Sequence, residues 1–226
     1  MNRIKVGLIG LGTIGTGVAK TLLENSALLK QRLGFSLDLT AIADIDIKRN
    51  RGVAIPRKLL TTDTKALIAN PDIDVIVELI GGIEPARTFI LDALKAGKHV
   101  VTANKALLAS KGKELFDTAR TCGRDLYYEA SVGGGVPIIK ALRESLVANN
   151  FTFIYGILNG TCNFILTEMS EKGSSFGDTL KKAQEFGYAE ADPTMDIEGV
   201  DSAHKLAIIT SLAYGVPPDM GSIYVE

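Results

Sequence analysis

Ile4-Lys5-Val6-Gly7-Leu8-Ile9-Gly10-Leu11-Gly12-Thr13-Ile14-Gly15 is the stretch that decides the fold. Ile4 to Ile9 is a short, apolar, β-rich run. It leads directly into the GxGxxG of Gly10, Gly12 and Gly15, with Thr13 and Ile14 opening a helix. Val18, Leu22, Leu23 and Leu28 lie on the apolar side of that helix. Strand, glycine turn and helix is the context that gives this motif a physical meaning. The first glycine permits the tight turn, the second lets the backbone approach a pyrophosphate, and the third packs helix on strand. The helix N-terminus then offers free N–H groups and a positive dipole end to phosphates. The expectation is an α/β, Rossmann-type, doubly wound parallel sheet that binds a nicotinamide dinucleotide, NADP or NAD.

Moving outward, Leu37 to Ala43 reads as the second strand, ending at Asp44. An acid there binds ribose hydroxyls and favours NAD. Its separation from the glycines exceeds the usual ~20 residues, which the long helix and the polar KQRLGFS segment account for. Lys48, Arg49 and Arg51 follow closely, and such cations hold a 2′-phosphate and favour NADP. The two cofactors stay open, with a slight lean to NADP. Leu59–Ala69 reads as a helix and Asp74–Ile80 as a buried strand ending at Gly81-Gly82. Pro85–Ala96 reads as a helix and His99–Thr102 as the next strand, with His99 structural. Lys105 follows Thr102 at a strand C-terminus, the edge where open α/β sheets bind ligands. A plain helix-starting lysine is the competing reading. Gly81, Thr102, Lys105 and Gly187 join the glycine loop, Asp44, Lys48 and Arg49 as cofactor candidates.

Asp125–Glu129 is a further strand, leading into Val132-Gly133-Gly134-Gly135-Val136. Adjacent glycines exclude regular structure. The run divides a dinucleotide-binding domain, 1–134, from a partial α+β substrate and dimerisation domain, 135–226. Its carbonyls with the Glu129 carboxylate suit a hard cation; a bare hinge suits the sequence equally. Pro137–Ala148 reads as a helix, Phe151–Leu158 as an aromatic-rich strand, Asn159-Gly160-Thr161 as a polar turn, and Phe164–Met169 and Leu180–Phe186 as helices.

The stretch from Gly187 to Lys205 concentrates Glu190, Asp192, Asp196, Glu198 and Asp201 ahead of Lys205. Gly and Pro break it up to Gly199, and a helix is expected from Val200 to Gly215. Asp201 and Lys205 then share one helix face. An acidic loop feeding such a pair suits a small cationic substrate and a proton transfer. A solvated loop with a surface ion pair is the plain alternative.

Composition narrows the classes. The chain has 226 residues, 46% apolar and 23% charged, with a formal net charge of −1. That balance argues against a nucleic-acid partner. The cysteines, Cys122 and Cys162, are far apart and outside any CxxC, against a disulfide framework or zinc site. No apolar run reaches the ~20 residues of a membrane span, and no signal peptide is visible. A soluble cytoplasmic protein is expected.

Several ordered motifs together resemble one family: homoserine dehydrogenase. They are GLIGLGTIG at the start, VTANKALLA at 101–109, YEASVGGGVPII at 128–139, GILNGTCNFIL at 156–166 and GYAEADPTMDIEGVDSAHKLAI at 187–208. The resemblance implies NAD(P)-dependent interconversion of L-homoserine and L-aspartate 4-semialdehyde, on the route to threonine and methionine. It implies that Lys205 is the catalytic lysine, Asp201 its partner, and Lys105 a lysine that contacts cofactor and substrate and is itself a catalytic candidate. It places Glu190, Asp196, Asn159, Gly160 and Thr161 in the substrate site. It implies a sodium site at Glu129 and the carbonyls of Val132, Gly134 and Val136, and a homodimer. Complete members of the family continue past Glu226, so a missing C-terminal part is expected. The alternatives are another Rossmann dehydrogenase for an amino acid or sugar, and a non-catalytic dinucleotide-binding module.

Overall fold

A computed structural model describes residues 3–226. The chain divides into two compact units, Met1–Ser131 and Val132–Glu226.

The first unit begins with β1 (Arg3–Ile9), α1 (Thr13–Glu24), α2 (Ser26–Leu33) and β2 (Ser36–Ala43). The expected long helix is thus two, interrupted at Asn25. Gly34, left-handed at φ 79°, stops α2, as glycine does where an L side chain would be strained. Next come β3 (Leu60–Thr61), α3 (Thr64–Ala69), β4 (Val75–Glu78), α4 (Ala86–Lys95), β5 (His99–Thr102), α5 (Lys105–Thr121) and β6 (Leu126–Tyr127). The helix expected over Leu59–Ala69 is a 3-10 turn, a two-residue strand and a short helix. The side chain of Asp63 starts that helix by accepting from the Ala66 amide.

The strands form one sheet of order β3-β2-β1-β4-β5-β6, parallel throughout. The order reverses at β1. Right-handed crossovers therefore send the connections to opposite faces. In agreement, α1 and α2 pack with each other and with β2, while α3, α4 and α5 pack in a row. A sheet covered on both faces buries consecutive residues instead of alternating ones. The last four residues of β1 are all buried, and Leu8, Ile42, Ile76 and Val100 have no exposed surface. Each such side chain contributes roughly 1.5–3 kcal/mol by leaving water. His99 is structural, its Nδ1 accepting from the Asp125 amide at 3.1 Å beside β6.

The second unit holds α6 (Ile138–Lys140), continued by a π turn to Ser145, then α7 (Gly160–Lys172), α8 (Phe176–Glu185), α9 (Thr194–Ile197) and α10 (Val200–Tyr214). Of the α+β architecture expected here, the described residues supply the helices alone. The helix expected over Pro137–Ala148 leaves helical geometry at Leu146. Phe151–Leu158 has strand-like alternation but no ladder partner among the described residues. Alternation marks which side of a segment is apolar; only paired hydrogen bonds make it a strand. Phe153, Tyr155 and Ile157 are consequently 70%, 87% and 75% exposed, and the two rings stack at 5.8 Å. The helix expected from Val200 is found, capped by Gly199 and Gly215 in left-handed conformations.

Candidate active site

In the first unit, parallel strands bring their carboxyl ends to one edge. Gly10, Asp44, Gly81 and Thr102 all follow or end strands there. Each glycine of the turn has its own reason. Gly10 has φ 95°, and a Cβ on it would meet the Leu79 carbonyl at 2.8 Å. A Cβ on Gly15 would sit 2.0 Å from the Gly10 oxygen. Gly12 faces open space, so its bareness serves nothing within the protein and leaves room for a ligand to approach the backbone. Thr13 and Ile14 are exposed beside it.

Asp44 is tied to this turn. Its carboxylate accepts from the Leu11 amide and, at 2.8 Å, from the Asp46 amide. Arg51 bonds Asp44 at 3.1 Å and also donates to the Leu11 and Arg49 carbonyls. The Arg51 and Asp44 side chains are only 10% and 12% exposed. Arg51, not Arg49, is therefore the arginine at the glycine turn; Arg49 contributes its carbonyl. Lys48 instead lines a separate cleft of about 460 Å³ with Arg57, a cation that the reading of the sequence passed over.

Beyond β4, the fully buried Glu78 carboxylate accepts from the Ile80 amide and from the Thr102 hydroxyl at 2.7 Å. The Thr102 oxygen accepts from the Asn104 amide. Asn104 donates to the Gly82 carbonyl and caps α5 by accepting from Leu107. The Thr102 side chain thus serves internal bonding. Lys105 is the first residue of α5.

The second unit contains a cavity of about 560 Å³ at which Asn159, Gly160, Thr161, Asp196, Asp201 and Lys205 meet. Asn159 caps α7, its Oδ1 accepting from the Cys162 amide at 2.8 Å. Its amide donates to Asp196 Oδ1 at 2.7 Å and to Asp201 Oδ2 at 2.9 Å. Lys205 Nζ donates to Asp201 Oδ2 at 2.6 Å and to the Leu158 carbonyl at 2.7 Å. The Lys205 and Asp201 side chains are 18% and 5% exposed, so this is no solvated surface pair. The Thr161 hydroxyl donates to the Tyr188 carbonyl. The Cys162 thiol donates to the Asp196 carbonyl at 3.0 Å. Burial first, then the charges of Asp196 and Asp201, push that thiol's pKa up.

Glu190 and Gly187 are exposed and do not line this cavity. Asp192 bonds Thr194, which lowers its pKa. Asn163, Thr167 and Glu168 of α7 do line the cavity. Their signal was available, since polar residues at 159, 163 and 167–168 recur at helical spacing.

Two family models match. The homoserine dehydrogenase NAD binding domain covers residues 10–129, and homoserine dehydrogenase covers residues 137–226. The chain belongs to the homoserine dehydrogenase family. It is 48% identical over 226 residues to the homoserine dehydrogenase of Neisseria gonorrhoeae, covering 100% of this chain and 52% of that one. The crystal structure of a homoserine dehydrogenase from Thiobacillus denitrificans superposes with TM-score 0.92 at 48% identity, over 100% of this chain and 52% of that chain. A hyperthermophilic archaeal homoserine dehydrogenase in complex with NADPH gives TM-score 0.82 at 28% identity, over 96% and 71%. The chain spans about half the length of the curated relatives it matches. The glycine turn lies in one matched segment and the Lys205 cavity in the other. No helix among the described residues is long and apolar enough to cross a membrane. None of the described His, Cys, Asp and Glu side chains form a group of three placed to hold a metal.

Proposed function

We propose that the protein interconverts L-homoserine and L-aspartate 4-semialdehyde with NAD(P). The observation that carries this reading is the enclosed Lys205–Asp201 pair beside Asp196 and Asn159, in a chain of this family. The glycine turn fits a dinucleotide, because Gly12 leaves open the space a Cβ would fill. When bound, the nicotinamide supplies or accepts the hydride.

The protein's own groups do the rest. The acidic groups Asp196 and Asp201, with Glu190 from the neighbouring loop, suit the substrate ammonium. Gly160 and Thr161 shape the pocket, and Lys105, in the first unit, is a further catalytic candidate. In the reducing direction Lys205 gives a proton to the developing alkoxide, and its charge stabilises that oxygen beforehand. An ammonium has three donors. Two are held by Leu158 and Asp201, so the third is left for the substrate.

The cofactor residues the geometry supports are Gly10, Gly12, Thr13, Ile14, Gly15, Asp44 and Gly81, with Arg51 added; Lys48, Arg49, Thr102, Lys105 and Gly187 rest on the sequence reading alone. Because Asp44 already accepts from Leu11, Asp46 and Arg51, the cations favour the 2′-phosphate of NADP. The monovalent-cation reading rests on donor chemistry: Glu129 and the carbonyls of Val132, Gly134 and Val136 are hard oxygen ligands. The exposed row of Phe153, Tyr155 and Ile157 supports self-association as a homodimer. Cys122 and Cys162 are both free thiols, which fits the reducing cytoplasm. Threonine and methionine biosynthesis would be the pathways served.

The purified protein is expected to reduce NADP faster than NAD when given L-homoserine, followed at the nicotinamide absorbance. Turnover of a different alcohol with homoserine inert would favour another dehydrogenase. Dinucleotide binding without turnover of any alcohol would favour a binding module. Arg51→Ala should weaken NADPH binding by about tenfold and NADH binding less, the difference being one lost charge-assisted phosphate contact. Equal losses for both dinucleotides, in a fluorescence titration, would remove Arg51 from phosphate recognition.

A further inference from the structure

We propose that Asn159 is a positioning residue that sets Lys205 for proton transfer without itself contacting the substrate. The inference rests on the dehydrogenase reading above. An asparagine side chain has two N–H donors and one carbonyl oxygen. Here one donor goes to Asp196, the other to Asp201, and the oxygen holds the Cys162 amide. The residue is 7% exposed. With both N–H donors committed and the oxygen already accepting one bond, a single lone pair is all it has left to offer an incoming amino acid, although it stands at the cavity wall.

What it fixes is specific. Asp201 Oδ2 is shared between the Asn159 amide and the Lys205 ammonium. The adjacent main-chain carbonyl, Leu158, takes a second Lys205 donor. Residues 158 and 159 therefore grip both members of the pair, the carboxylate by an amide and the ammonium by a carbonyl. Because Asn159 also caps α7, its oxygen locks the turn whose preceding carbonyl Lys205 uses. A lysine stem is flexible when unrestrained. With two donors fixed, the direction of the third is fixed as well. Misplacing a reacting group by about 1 Å can cost about 100-fold in rate.

Asn159→Ser separates this role from simple capping. It keeps an oxygen that caps a helix well and loses the paired amide donors. It should fold, with kcat for L-homoserine lowered about 100-fold and KM within about threefold. Lys205 should also react several-fold faster with an amine-directed acylating reagent, read on its peptide by mass spectrometry. A serine variant equal to wild type in kcat and in labelling would leave Asn159 a helix cap only. A KM raised tenfold or more with kcat retained would make it a substrate ligand. Either result overturns the proposal. Labelling needs no turnover. An unaltered protein inert toward homoserine would sink the dehydrogenase reading, while the labelling contrast would still decide the role of Asn159.

Discussion

Lys205→Ala is expected to lower kcat for L-homoserine by about 1,000-fold, within the range for losing a positioned general acid. KM should move by no more than about fivefold, because the lost interaction is made chiefly in the transition state. The change also has a structural cost. Asp201 is 5% exposed and loses Lys205, but Asn159 continues to donate to it. The destabilisation should therefore be about 1–3 kcal/mol, short of the ~3–5 kcal/mol that follows when a buried charge is left alone. Lys205→Arg should not restore turnover, because a guanidinium holds its protons at any working pH. Small primary amines added to the alanine variant should recover part of the rate. Near-normal turnover in Lys205→Ala, measured on protein shown to be folded, would take Lys205 out of the mechanism.

The second large effect lies in the glycine turn, where two neighbouring glycines should fail in different ways. In Gly15→Ala the new Cβ would stand 2.0 Å from the Gly10 oxygen, a main-chain atom. No side-chain rotation relieves that contact, so α1 must back away from β1. Loss of the close helix–strand approach should cost about 2–4 kcal/mol, comparable to overpacking a core. Dinucleotide affinity should fall by about 100-fold or more as the amides at the helix start lose their aim. Gly12→Ala meets nothing within 4 Å, and its φ of −70° suits any residue. It should melt within about 2 °C of wild type yet bind dinucleotide at least about tenfold more weakly, if Gly12 lets the pyrophosphate approach. Calorimetry and cofactor-fluorescence titration on the two variants give the comparison. Wild-type affinity in Gly12→Ala would mean that the dinucleotide does not pass over that residue.

The first unit was largely legible because its signals are local. The strand–glycine–helix run, the Gly81-Gly82 break and the Pro85 helix start are written in consecutive residues. The long gap before Asp44 was legible too, and α2 fills it. The second unit was harder, since its order depends on contacts between distant positions. Period-2 alternation at 151–158 correctly marks an apolar side, but pairing requires a neighbour that the pattern cannot specify. In the site, spacing put Asp201 and Lys205 on one face, and the family motif pointed to Asn159. Nothing local could show that Asn159 and Leu158 hold that pair together, because those bonds span 42 and 47 positions. Arg51 was seen only as one of a basic cluster. Its distinction from Lys48 and Arg49 comes from a fold-back of 40 residues onto Leu11.

The buried carboxylate of Glu78 bears on how the cofactor edge can move. It joins the loop after β4, through Ile80, to the end of β5, through Thr102. Thr102 passes the connection to Asn104, and Asn104 returns it to Gly82. The path is a closed circuit, with no member left to rotate without breaking a bond in low-dielectric surroundings, where such a loss is costly. The two loops and the start of α5 therefore travel as one body. A hinge serving this edge has to lie outside the circuit, and Lys105, at the head of α5, is carried wherever the Gly81-Gly82 loop goes.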